Sequence, residues 1–254
     1  MNLLKRFLIA VWGVYALIVF FTLALLLTLA VALIPSQNIC RRMVHRTAQL
    51  ILKLAGIPMK VHHLDRLPEG PCVIVANHAS YLDGPLIAAA LPPVFSFVIK
   101  QEIRKMPGAH LLLRRVGSHF VERFNRKKGA ADARRLLDSA KDGQALAFFA
   151  EGTFQKKPGL MPFRMGAFST AVRADFPVVP MVIRGARHIL PSGSWLPRPG
   201  KLEVIIQMLL RVNQLAANPT RELVAATRSQ MLRELGEEDL APETTTLAPA
   251  PKKD

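Results

Sequence analysis

Residues 7–34 are almost wholly apolar and carry no charge. At 1.5 Å per residue, such a run makes a helix of about 42 Å. That exceeds a bilayer hydrocarbon core of about 30 Å, so the segment is long enough to span with tilt. Trp12 and Tyr15 stand near its N-terminal end, a position where interfacial aromatics gather. Pro35 and Ser36 break the helix, and helical patterning resumes over 37–54. There Ile39, Met43, Leu50, Ile51 and Leu54 alternate with basic residues, which predicts an interfacial helix with cations toward lipid headgroups. The pattern fits one spanning helix or a two-helix hairpin in one leaflet equally well. A cleaved signal peptide would share Lys5, Arg6 and Ala30-Val31-Ala32. The apolar run is longer than an h-region of about 7–15 residues. Arg41, Arg42, Arg46 and Lys53 follow it, which disfavours export.

Gly56-Ile57-Pro58 closes this anchoring region at 1–58. Beyond it, short apolar runs alternate with helical stretches. Strands are predicted at 73–76, 94–99, 118–121, 145–149, 178–183 and 202–208, and helices at 84–90, 130–141, 165–174 and 219–235. That alternation predicts an α/β domain over 59–236. Asn218 as N-cap and Pro219 in the first turn mark the start of the last helix. From Glu237, acidic residues, threonines, prolines and terminal lysines predict a disordered tail over 237–254. No internal repeat is present.

Charge narrows the partners. The chain has 254 residues, 34 Lys and Arg against 18 Asp and Glu, and a net charge of +16. Its mean hydropathy of +0.23 is high for a purely soluble protein. Such a balance points to an anionic partner, a nucleic acid or an anionic membrane surface. Two tyrosines and two tryptophans offer few stacking surfaces, and no nucleic-acid-binding module is recognisable, so nucleic acid is set aside. Cys40 and Cys72 provide neither a disulfide framework nor metal-ligand spacing, which suits a reducing compartment. His62-His63 lack the companions of a metal site and read as surface or turn residues; His45, His110, His119 and His188 read as structural.

The chemistry concentrates where predicted strands end. Asn77-His78-Ala79-Ser80-Tyr81-Leu82-Asp83 follows the run 72–76. A histidine titrates near neutrality, and a carboxylate on one ring nitrogen fixes its tautomer and supports the imidazolium. No cysteine or serine nucleophile is obvious beside the pair, so it suits a base that activates the substrate's own hydroxyl. Glu151-Gly152-Thr153 ends the run 146–150, with Glu151 either a substrate contact or a structural carboxylate bonding backbone amides. Arg164 precedes a predicted helix start, where an anion is favoured. Arg123 closes a predicted strand, and an Arg there can grip phosphate bidentately.

These blocks, in this order, resemble the glycerolipid acyltransferases, especially the 1-acylglycerol-3-phosphate acyltransferases. Asn77-His78 through Asp83 matches their N-H-x-x-x-x-D block, Gly117 with Arg123 the strand-terminal Arg, and Glu151-Gly152-Thr153 the E-G-T block. Val178-Val179-Pro180-Met181-Val182-Ile183 and Gly185 match the proline-bearing strand, and Lys100 with Glu102 the K-x-E pair. The resemblance runs over about 73–185 and implies an α/β, glycerolipid-acyltransferase-like catalytic domain behind a membrane-embedded helical segment. It implies acyl transfer from acyl-CoA or acyl-carrier protein to a lysophospholipid hydroxyl, with phosphatidic acid the most expected product. His78 would be the base and Asp83 its support. Arg123, with Lys100, would hold the phosphate, and Glu151, Gly152 and Thr153 would shape the acceptor site. It implies no cofactor, no metal and no acyl-enzyme.

One departure matters. Phe154 stands where the family commonly has Arg after E-G-T. Either Arg164 replaces that charge, or the acceptor is another lyso-lipid such as a lyso-ornithine lipid. A membrane lipid-binding protein without catalysis is the alternative from another class, and the intact His78 and Asp83 argue against it. The larger basic cluster follows the apolar segment, which favours an inner-membrane location with the catalytic domain on the cytoplasmic side. Oligomeric state is not set by the sequence.

Overall fold

The computed structural model describes residues 2–122, 126–213 and 216–241. The apolar run forms helix α1 (Leu3–Leu33), and α2 (Gln37–Leu54) packs back along it. One side of α1 is buried at Gly13, Ala16, Leu27 and Val31. The other keeps Phe7, Val11, Ile18, Phe21, Leu25 and Leu29 exposed. At Gly13 the approach is closest: a Cβ there would lie 2.7 Å from both Leu196 Cγ and the Pro197 carbonyl, so no larger residue fits. Further along, Arg115 Nε donates to the Val31 carbonyl at 2.9 Å. The helix is therefore in contact with the globular domain from Gly13 to Val31.

Trp12 packs against the core, and the half-exposed Tyr15 donates its hydroxyl to the Leu54 carbonyl at 3.0 Å. One expectation for this region changes. Arg41 turns inward from α2, donating to the carbonyls of Val116 and Val94 and to Ser96 Oγ. Arg42, Arg46 and Lys53 remain exposed.

After α2 come β1 (Met59–His62), β2 (Val73–Ala76), α3 (Asp83–Ala90), β3 (Ser96–Lys100), α4 (Pro107–Arg115), β4 (His119–Val121) and α5 (Arg126–Lys141). Then follow β5 (Leu146–Phe149), α6 (Gly166–Ala174), β6 (Val178–Arg184), α7 (Ala186–Ile189), β7 (Leu202–Ile206) and α8 (Pro219–Leu235). Among the described residues the strands form one sheet, ordered β1-β7-β6-β2-β5-β3-β4. The strands β6, β2, β5, β3 and β4 are mutually parallel, while β7 runs against β6 and pairs with β1 in parallel.

Alternation along β2 shows why the sheet is covered twice. Ile74 and Ala76 join Leu86 and Ile87 of α3 in one core. Val73 and Val75 join Ala167, Phe168 and Ala171 of α6 and Leu223 of α8 in the other. Successive side chains point to opposite faces, so a central strand buried on both must be apolar throughout.

Several boundaries differ from the pattern. The strand predicted from residue 94 starts at Ser96, because Pro92-Pro93 holds a turn in which Val94 N–H bonds the Pro92 carbonyl. β1, α4 and α7 are short or rich in cations and prolines, and carry little periodicity. The tail expected to be loose from Glu237 is packed at its start. Leu160 N–H donates to the Glu238 carbonyl at 2.8 Å, and Leu240 N–H to the Leu160 carbonyl at 3.0 Å. Residues 242–254 lie outside the described residues.

Candidate active site

Parallel strands bring their carboxyl ends to one edge of the sheet, where α/β folds bind ligands. β2 is followed there by Asn77, which is 3 % exposed. Its side chain continues the strand pairing: Oδ1 accepts from Ile183 N–H at 2.7 Å and Nδ2 donates to the Ile183 carbonyl at 3.0 Å. The next residue, His78, thus leaves the sheet from a fixed point.

Asp83 sits in the first turn of α3, one residue earlier than the helix start expected from sequence. Fully buried, its Oδ2 lies 2.8 Å from His78 Nδ1 and accepts from Ala79 N–H at 2.6 Å and Ser80 N–H at 2.8 Å. Three donors on one oxygen hold the carboxylate still and stabilise its charge. The first turn of a helix favours a negative charge as well. With Nδ1 committed to Asp83, His78 presents Nε2, which has no partner among the described residues. The ring stacks on Phe149 at 4.2 Å between centroids and meets Phe154 edge-on at 4.6 Å. Phe154 in turn meets Tyr81 edge-on at 4.8 Å. The residue that departs from the familiar motif therefore forms an aromatic wall of the histidine.

Glu151 resolves toward bracing. Oε1 accepts from His78 N–H at 2.7 Å and Oε2 from Met161 N–H at 2.9 Å. One carboxylate thus joins the His78 turn to the loop after β5. Burial pushes its pKa up from 4.5 to about 7, against the two backbone donors and the more distant charges of Arg187 and Arg228. Gly152 follows at φ 74°, a left-handed conformation that side chains strain to adopt. Thr153 is exposed, as is the Arg164 side chain, whose backbone N–H donates to the Ala150 carbonyl at 2.8 Å. Lys100 is exposed at the carboxyl end of β3. Arg123 lies outside the described residues, two positions past the end of β4.

Two arginines not singled out from sequence fix the loop after β5. Arg228, 7 % exposed on α8, donates to the carbonyls of Leu160 and Met161, pairs with Asp239 and covers the Phe163 ring at 5.0 Å. Arg187 on α7 donates to the carbonyls of Gln155 and Lys157 and pairs with Glu237. Both lie far along the chain from the loop they hold, and no local pattern points to them.

Comparison with known proteins places this geometry. The model of the family described as Acyltransferase matches residues 58–184, which include His78, Asp83, Lys100, Arg123, Glu151 and Arg164. The chain belongs to the acyltransferase family. Among relatives of this acyltransferase, the chloroplastic 1-acyl-sn-glycerol-3-phosphate acyltransferase BAT2 of Brassica napus is 31% identical over 172 residues. That match covers 65% of this chain and 50% of the relative. A lyso-ornithine lipid O-acyltransferase of Pseudomonas aeruginosa is 32% identical over 144 residues, 55% of this chain and 53% of the relative. The acyltransferase thus spans about half the length of these two relatives. Its fold is similar to the crystal structure of the 1-acyl-sn-glycerophosphate acyltransferase PlsC from Thermotoga maritima. The TM-score is 0.73 at 21% identity, over 92% of this chain and 96% of that one.

Proposed function

We propose that the protein transfers an acyl chain from acyl-CoA or acyl-carrier protein to the free hydroxyl of a lysophospholipid, with 1-acylglycerol-3-phosphate as first acceptor. The observation that carries this is the His78–Asp83 pair, with Nδ1 held at 2.8 Å and Nε2 left open. His78 Nε2 takes the hydroxyl proton as the oxygen attacks the thioester carbonyl. The tetrahedral intermediate collapses, the C–S bond breaks, and the imidazolium returns its proton to the departing thiolate. Asp83 holds the ring and supports the imidazolium. Glu151 positions the His78 backbone. Arg123, Lys100 and Arg164 are the cations proposed to hold the acceptor's phosphate. The chemistry calls for no metal and no cofactor beyond the acyl donor.

The exposed apolar face of α1 anchors the protein to a membrane. Because α1 is in contact with the domain from Gly13 to Val31, we place α1 and α2 in the plane of one leaflet, with the catalytic domain on the cytoplasmic side. The bilayer is then both support and source of acceptor.

A second acceptor class is favoured by a specific observation. Phe154 puts an aromatic ring beside His78 where related enzymes commonly place an Arg, and a relative of similar identity is named for lyso-ornithine lipid. The test is an acceptor panel on detergent-purified protein with labelled acyl-CoA and acyl-carrier protein. Selective transfer to lysophosphatidic acid supports the first reading, and transfer to lyso-ornithine lipid replaces it with the second. A folded protein that transfers to neither, with either donor, overturns acyl transfer altogether.

A further inference from the structure

The loop 190–201, between α7 and β7, is tied both to the catalytic turn and to α1. Ser80 Oγ, in the turn between His78 and Asp83, donates to the Leu190 carbonyl at 2.8 Å. Within the loop, Arg198 N–H donates to the Ile189 carbonyl at 2.8 Å, and Ser194 Oγ to the Leu196 carbonyl at 3.1 Å. Leu196 and Pro197 press on Gly13 of α1. This cross-braced loop holds Trp195 outward, 90 % exposed.

A single exposed apolar residue is ordinary on a protein surface. Trp195 differs in its setting. Its neighbour in sequence touches the helix whose other face is a continuous apolar surface. The loop that carries it also carries cations: Arg198 and Lys201 are exposed, and Lys156 packs beside Gly193. An indole with an apolar body and a polar N–H, on a loop that also presents exposed lysine and arginine, matches the boundary between headgroups and acyl chains.

We propose that the Trp195 loop is a second membrane contact, its indole seated at the headgroup–acyl boundary of an anionic phospholipid bilayer. The loop reaches α1 through Leu196 and Pro197 at Gly13. Through Ser80 it holds the His78 turn at a set height above the lipid. The inference rests on the membrane anchoring by α1 and not on acyl transfer.

The test uses the full chain reconstituted into vesicles of phosphatidylglycerol and phosphatidylcholine. Trp12 and Trp195 are the two tryptophans of the chain, so the difference between wild type and W195F isolates the Trp195 emission. Because Trp195 is so exposed, W195F keeps the fold. Expected is quenching of that component by phosphatidylcholine brominated near its acyl carbonyls, and protection from aqueous acrylamide. An indole open to acrylamide and untouched by bromolipid, in protein that floats with the vesicles, overturns the proposal. Protection from both quenchers also overturns it, and points to a protein partner such as a second copy. Protein that fails to float with the vesicles removes the α1 anchor and this inference together.

Discussion

At the scale of single residues, His78 carries the heaviest prediction. His78→Ala removes a general base, and acyl transfer is expected to fall about 10²–10⁴-fold with the fold unchanged, read by single-turnover rates beside circular dichroism. Glu151 is expected to act differently. In Glu151→Gln one side-chain oxygen becomes an NH2 group facing a backbone N–H, so either His78 or Met161 loses its acceptor. A buried unsatisfied donor costs about 1–3 kcal/mol, which a denaturant midpoint measures. The wild-type carboxyl also sets a pH dependence. Its folded pKa is about 7 against an ordinary 4.5, so between those values the folded state holds a proton that the unfolded state has lost. The stability that this one group contributes is fully present below about pH 4.5, is lost as pH rises to about 7 and then levels; that component of the pH dependence is expected to be missing in Glu151→Gln. His78 and Asp83 were legible because their chemistry needs both residue types at a strand end, within an ordered set of blocks. The role of Glu151 was not legible, since a carboxylate there looks the same in sequence whether it meets substrate or backbone amides.

Among the elements, the point of interest is how distant segments hold the catalytic turn. Asn77→Ala leaves the N–H and carbonyl of Ile183 without their side-chain partners. The expected loss is about 1–3 kcal/mol for each unsatisfied buried group, seen as a lower unfolding midpoint and a fall in activity before unfolding. A chain ending at Gly236 loses the Glu237 and Asp239 carboxylates, and with them the pairs to Arg187 and Arg228. It is expected to cleave readily within 155–163 under limited proteolysis, where the full chain resists. The two-faced apolar pattern made β2, β5 and β6 easy to read, because burial on both sides demands it. Acidic and proline-rich composition suggested a loose tail from Glu237, and composition does not register that Glu238 and Leu240 exchange backbone hydrogen bonds with Leu160. The packing of Trp12 on the core was not legible for a related reason: an apolar helix does not declare in its sequence which side meets lipid and which meets protein.

For the molecule as a whole, α1 is part of the core as much as an anchor. Ala16 belongs to the same buried cluster as Ile74 and Leu86, and Val31 to one with Cys40 and Val116. A chain without residues 1–36 is expected to aggregate rather than become a soluble enzyme, as size-exclusion chromatography in and out of detergent will show. The contact along α1 also bears on the choice of host lipid. A helix that crosses a bilayer must tilt or stretch to match its thickness. In the one-leaflet placement proposed above, a helix lying along its own catalytic domain has its depth set by that domain, and the far leaflet does not enter. Turnover in vesicles built from short or long monounsaturated chains should then be the same at equal surface charge, while tighter packing of the near leaflet alone should slow it. The enzyme would gauge the crowding of the sheet it lies in and be blind to how deep the water is on the other side.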